Sequence, residues 1–144
     1  MRTALPRLLR AGLAVGLALL LTACLSSGQS SVQNELNADR RAYGRSALRS
    51  YSALNKKAQA WAERLARENR LYHSTLSAGA PSCWRALGEN VGYGSSVAAV
   101  QDAYMRSDAH RANVLKTTWN WVGVGAARNG SRVFTVQVFM TGCT

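Results

Sequence analysis

The sequence predicts an α+β domain. Apolar residues recur at three- and four-residue spacing between Val32 and Leu65. Serine caps precede two further helical stretches before residue 115, and the end of the chain is rich in β-branched and aromatic residues. Helices first and strands last is the order expected of an α+β fold. A length of 144 residues fits one domain, and no internal repeat divides it.

The leading residues stand apart from that domain. Arg2, Arg7 and Arg10 form a basic head, and residues 11–21 are apolar without interruption. The run is too short to span a membrane, which takes about 20 apolar residues, and it has the build of a secretory signal over residues 1–23. Leu21-Thr22-Ala23-Cys24 resembles a bacterial lipobox, in which the cysteine is lipidated and becomes the new N-terminus. This predicts attachment to a membrane through Cys24 at its extracytoplasmic face, or secretion if Cys24 carries no lipid. Residues 24–31 then read as the lipidated cysteine and a polar tether, and residues 32–144 as the folded domain. Three cysteines are an odd number for an exported chain. Lipidation of Cys24 leaves Cys83 and Cys143 for a disulfide in an oxidising compartment, the alternative being two free buried thiols.

The chain carries 18 Lys and Arg against 7 Asp and Glu, and removing Arg2, Arg7 and Arg10 leaves a charge of +8. That balance favours anionic surfaces such as phospholipid or wall polymer. Nucleic acid is not expected as a partner, because no basic stripe interleaves with aromatics.

Ser31 is placed to cap a first helix, with Val32, Leu36 and Tyr43 on its inner face, Arg40 and Arg41 largely off it, and Gly44 ending it. A second helix covers residues 52–69, with Leu54, Ala58, Trp61 and Leu65 as its buried stripe. His73 follows directly, then a loop over residues 75–81 broken by Gly79 and Pro81. Residues 88–94 hold three glycines around Glu89 and Asn90, which predicts a short, sharply shaped segment presenting the carboxylate. Ser95 or Ser96 caps a third helix, and Ser107 with Asp108 starts a fourth, placing His110, Asn113 and Val114 on one face. Residues 121–126 and 133–140 are the strands of a hairpin, joined through Asn129-Gly130.

Both histidines, His73 and His110, flank Glu89 in sequence, and these side chains move protons near neutral pH or bind borderline metals. These residues resemble the CAP superfamily of cysteine-rich secretory, antigen 5 and pathogenesis-related proteins, in its bacterial SCP-like extracellular branch. The likeness runs from Leu36 to Phe139. It is carried by Leu36-Asn37-Ala38-Asp39-Arg40, Ala58 with Trp61 and Ala62, and His73-Ser74. Gly88-Glu89-Asn90-Val91, the stretch 107–115 and Val122-Gly123-Val124-Gly125 complete it. The resemblance implies a three-layer α-β-α sandwich with a central antiparallel sheet. It also implies a cleft lined by two histidines and two acids that in some members binds zinc. His73, Glu89 and His110 match three of those positions. The second acid is missing: Tyr104 holds the aromatic position and Ser107 stands where the acid would be.

Two imidazoles fall short of the three protein ligands of a catalytic zinc. Glu89 is either the third ligand or a partner of bound water. The histidines also read as hydrogen-bonded groups that hold the cleft together. Asn90 and Asn113 read as structural amides fastening loops to backbone. Three functions follow. One is a membrane-anchored module binding a hydrophobic ligand, a metal or an envelope component in the cleft; the others are a metal-assisted envelope hydrolase and a scaffold for anionic wall polymer. No HExxH or Gly-x-Ser-x-Gly motif supports the hydrolase, so binding is the primary expectation.

Overall fold

A computed structural model describes residues 24–143; the expected signal sequence, residues 1–23, lies outside the described residues. Four helices and four strands follow in chain order. They are α1 (Ser27–Ala42), β1 (Arg49–Ser50), α2 (Ser52–Glu68), β2 (Trp84–Gly94), α3 (Val97–Arg106), α4 (Asp108–Leu115), β3 (Trp121–Asn129) and β4 (Arg132–Gly142). The sheet order is β1-β3-β4-β2. The three long strands are antiparallel as expected, while the two-residue β1 runs parallel to β3 at one edge, which makes the sheet mixed.

The alternation of β4 shows how the sheet divides two cores. Phe134, Val136, Val138 and Met140 face α2, where they pack with Leu54, Ala58, Ala62, Leu65 and Val91. Phe139 faces the opposite layer and packs with Val32 and Leu36 of α1, Val114 of α4, and Trp119, Val122 and Val124. Helices therefore cover both faces, giving the expected α-β-α sandwich.

The repeated Val-Gly of β3 brings α2 onto the sheet. A Cβ on Gly123 would collide with the backbone carbonyl of Leu54, and one on Gly125 would collide with that of Ala58. The helix backbone rests on the strand with no side chain between. Beyond β1 the outer edge of β3 has no strand partner among the described residues, and side chains take its place. Asn55 Oδ1 accepts from Val124 N at 2.9 Å, Gln59 Oε1 accepts from Ala126 N at 3.1 Å, and Gln29 Nε2 donates to Val124 O at 2.8 Å.

That last bond explains why α1 begins four residues before the expected cap. Ser26 and Gln29 form a capping box, and Gln29 is buried against α2 and β3. Ser31 is inside the helix, its hydroxyl donating to Ser27 O, and the tether expected over residues 24–31 shortens to Cys24, Leu25 and Ser26. Two further expectations on α1 invert. Tyr43 is 55% exposed, and Arg40 is buried at 2%. The Arg40 guanidinium donates to the carbonyls of Ser46, Val114 and Lys116, satisfying the otherwise unpaired C-terminal end of α4.

Residues 88–94 are not a short, sharply shaped segment but the C-terminal part of an eleven-residue strand, and none of their glycines has positive φ. The glycine at 92 is required by packing, since a Cβ there would lie 2.9 Å from Tyr104 and Val100 of α3. The hairpin forms one residue later than expected. Asn129 pairs with Arg132, so Gly130 and Ser131 make the two-residue loop, with the positive φ at Gly130. Cys83 and Cys143 form the disulfide, joining the residue before β2 to the residue after β4.

Two stability outcomes follow. Gly125→Ala should lower unfolding stability by about 3 kcal/mol in urea titration, because neither backbone can yield easily. Replacing both Cys83 and Cys143 by Ser opens a crosslink spanning 60 residues. By the chain-entropy relation it should cost about 4 kcal/mol, read from the same titrations.

Candidate functional site

The site lies on β2, an edge strand, where the two helical layers meet. Successive residues of a strand point to opposite faces. Glu89 points toward the α2 layer and Asn90 toward the layer of α1, α3 and α4.

Glu89 is a buried carboxylate with its side chain 1% exposed, and such a group is costly unless well paired. Its Oε1 accepts from His73 Nδ1 at 2.8 Å and from Ser74 N at 2.9 Å; its Oε2 accepts from Ser74 Oγ at 2.6 Å. A carboxylate only accepts, so Nδ1 of His73 carries the proton of their bond and Nε2 is turned away from it. The His73 side chain is 61% exposed, so the free nitrogen is open to solvent.

The helix α2 supplies this arrangement twice. Asn69 ends it in the left-handed conformation (φ 49°), which lets the chain turn back toward β2. Lys57, within the helix, donates to Ser74 Oγ at 3.0 Å, Thr75 O at 2.9 Å and Ala78 O at 2.8 Å. All three ammonium protons are thereby committed to holding the loop after His73. Burial lowers the pKa of Lys57, and the charge of Glu89 acts in the opposite direction.

On the other face, Asn90 is fully buried. Its Nδ2 donates to His110 O at 3.2 Å and to Gln137 Oε1 at 3.1 Å, while its Oδ1 accepts from Asn113 Nδ2 at 3.0 Å. Asn113 also reaches Glu89 O at 3.4 Å. The two asparagines thus fasten α4, and with it His110, to the strand that carries Glu89, as the structural reading of both amides requires. The His110 ring lies 5.1 Å from that of Tyr104, centroid to centroid. Tyr104 is buried, its hydroxyl bonded to Thr135, and burial pushes its phenol above the usual range. The pKa of His110 is lowered, first by burial and then by the charge of His73.

Ser107 sits at the junction of α3 and α4. Its carbonyl accepts from Arg111 N at 2.8 Å, but its hydroxyl makes no capping bond, contrary to expectation. Asp108, the nearest acid, is turned to Arg111 at 2.9 Å with its side chain 95% exposed. The zinc set His73, His110 and Glu89 is therefore incomplete. Glu89 is spent on His73 and Ser74, and no group of three or more His, Cys, Asp and Glu side chains among the described residues is placed to hold a metal ion. Two imidazoles remain, and this donor set does not fit a resident zinc centre.

The buried amides Gln101 and Gln137 and the clamp Lys57 were not among the residues expected from sequence. Isolated glutamines and a helix-face lysine carry no motif. Only the parity of residue 137 against Asn90 across the β2–β4 pair could have pointed to one of them.

The depressed pKa of His110 has a measurable sign. The unfolded chain binds its proton more readily, so the contribution of His110 to stability is full above its ordinary value of 6.5 and is lost as pH falls through the lower folded value. NMR titration of the ring protons should place the His110 midpoint below 6.5, and His73→Ala should raise it by removing the neighbouring charge.

Comparison with known proteins agrees with this fold. Residues 33–140 match the family model described as CAP, the cysteine-rich secretory protein family. The uncharacterized protein YkwD of Bacillus subtilis is 28% identical over 116 residues, an alignment covering 74% of this chain and 45% of that protein. The chain thus spans less than half the length of that relative. Among solved structures, an outer surface protein from Borrelia burgdorferi has a TM-score of 0.70 at 16% identity, covering 79% of this chain and 92% of that one. An extracellular protein containing an SCP domain from Bacillus anthracis has a TM-score of 0.67 at 22% identity, covering 79% of this chain and 40% of that one. The two structures share the fold. With the family match extending over three quarters of its length, the chain belongs to the CAP family.

Proposed function

We propose that this protein is an exported CAP-domain binding module of the bacterial cell envelope, anchored through Cys24 and taking its ligand at the open edge of β2 between His73 and His110. The observation that carries this reading is the commitment of Glu89. Both of its oxygens orient His73 and Ser74, which leaves an exposed imidazole nitrogen as a rigidly held hydrogen-bonding group. Rigid presentation of a few polar groups in a cleft is what selective binding requires. The Cys83–Cys143 disulfide suits an oxidising compartment, and an exposed Cys24 three residues from the first helix suits an anchor. The outer-surface and extracellular descriptions of the two similar proteins point the same way.

A hydrolase is the second reading, because an imidazole held by a buried carboxylate is also the geometry of an oriented general base. Ser74 does not supply its nucleophile. The hydroxyl already donates to Glu89 and accepts from Lys57.

Mass spectrometry of the protein extracted from membranes should find Cys24 acylated. Native spectra should show a copurifying ligand that His73→Ala with His110→Ala removes while circular dichroism stays unchanged. Treatment with EDTA should leave that ligand in place. A double variant that retains it would place the binding site elsewhere, and ester or peptide turnover lost in His73→Ala would favour the hydrolase.

A further inference from the structure

We propose that the cleft between α2 and residues 74–79 is a subsite for the phosphate of an anionic phospholipid, and that the outer face of α2 is the surface this domain lays on the membrane. The cleft has a volume of about 480 Å3, and Lys57, Trp61, Arg64, Arg67, Ser74 and Thr75 are among its lining residues. Three cations face it and no acidic side chain lines it. Such a concentration of one sign in a concave wall raises the local density of anions well above that produced by the net charge of the domain.

The three cations have different roles. Lys57 has donated all three protons to Ser74, Thr75 and Ala78, so it contributes charge and a rigid wall. Arg64 is held by Glu68 through Nε at 2.9 Å and lies 5.2 Å over the Trp61 ring, which fixes the guanidinium at the rim. Arg67 has no ionic or hydrogen-bonding partner among the described residues and is exposed. Arginine matches a phosphate in two parallel hydrogen bonds, and a partnerless one beside an ordered one provides donors at low cost in lost freedom. Trp61 has its N–H satisfied by Tyr72 O at 3.1 Å while its ring lines the cleft, an amphipathic arrangement suited to the headgroup level of a bilayer.

The position of Cys24 selects phospholipid over a soluble polyanion. Cys24 and Leu25 line a neighbouring cavity of about 330 Å3 with Ser52, Lys56, Ala60 and Glu63 of α2, and Ala60 lines both cavities. Only Leu25 and Ser26 separate Cys24 from α1, a reach of about 10 Å even when fully extended. A membrane holding Cys24 therefore meets the outer face of α2, with the basic cleft beside it. This placement rests on the anchoring proposed above; the cleft's affinity for phosphate does not.

The test uses protein carrying Cys24→Ser, so that no acyl chain contributes, and sedimentation with vesicles at about 0.15 M salt. Vesicles containing phosphatidylglycerol should bind it, and vesicles of phosphatidylcholine alone should not. Arg64→Gln with Arg67→Gln should weaken binding about 30-fold, from about 1 kcal/mol for each basic residue at the surface. Arg41→Gln with Arg85→Gln removes the same charge from two exposed residues that line neither cavity, and should change binding less than about threefold. Both pairs should keep the thermal midpoint of the parent. Equal losses in the two pairs would reduce the effect to net charge, and equal binding to both vesicle types would remove the phosphate; either overturns the proposal. Retention on polyphosphate beads without vesicle binding overturns it in favour of a soluble polyanion. If vesicle binding follows the predicted pattern while Cys24 proves unmodified in the native protein, the anchor falls and the subsite stands.

Discussion

The candidate site depends on a buried carboxylate and a buried amide in consecutive positions of an edge strand. Because strand side chains alternate, Glu89 and Asn90 reach into opposite layers of the sandwich. Glu89 fixes the chain leaving α2, and with it His73; Asn90 fixes the first turn of α4, and with it His110. Two histidines 37 positions apart in sequence are set against one strand by groups whose loss would leave polar partners unsatisfied in a low-dielectric interior. An exposed strand edge is ordinarily a liability for association. Here residues 73–74 bond to the strand from one face and α4 from the other, so the contacts that guard the edge also place the two histidines.

The amide continues into a chain that crosses the domain. Asn90 bonds Gln137, Gln137 Nε2 donates to Gln101 Oε1 at 2.7 Å, and Gln101 Nε2 donates to Asp39 Oδ2 at 2.7 Å. Among the described residues no buried side-chain nitrogen or oxygen is left without a partner. A fully satisfied network of this kind restricts the packing of α1 and α3 on the sheet to one arrangement, because any slip breaks several bonds at once. Arg40 performs the same service for the far end of α4. His110 is thus held on a helix fixed at both ends, which is why a helix of only eight residues can present a side chain with defined geometry.

Much of this was legible in the sequence, for physical reasons that also mark where reading stops. The stripe of α2 and the Asn-Gly signal before β4 are local patterns, and both elements start within about one residue of expectation, although Trp61, expected in the buried stripe, is only half-buried. The glycines of β2 misled because glycine serves both turns and close contacts. Only the approach of α3 to Gly92 shows that the second use applies. Arg40 looked like a surface residue because charge patterning cannot register a set of unpaired carbonyls arriving 74 residues later. The start of α1 was missed because Gln29 owes its burial to Val124. Of the site, His73, Glu89 and His110 were identifiable as chemistry, whereas the service of Glu89 to His73 rather than to a metal depends on the Ser74 hydroxyl being held by Lys57, a helix-face residue that no motif singled out.

The helix α2 is where fold and proposed function come together. Its inner face is seated directly on β3 at Gly123 and Gly125, so the helix cannot shift without breaking the sheet contact. Its C-terminal end turns the chain toward His73, and its Lys57 clamps the loop that Glu89 engages. The outer face carries Arg64 and Arg67, with the half-buried Trp61 at its margin, near Cys24. A surface docked there would load a rigid element rather than a loop, and the cleft at β2 would hold a fixed height and orientation above that surface. Such a geometry suits a ligand presented from the envelope. The binding groups need no closing motion to reach it, and the entropy of ordering them has already been spent in folding.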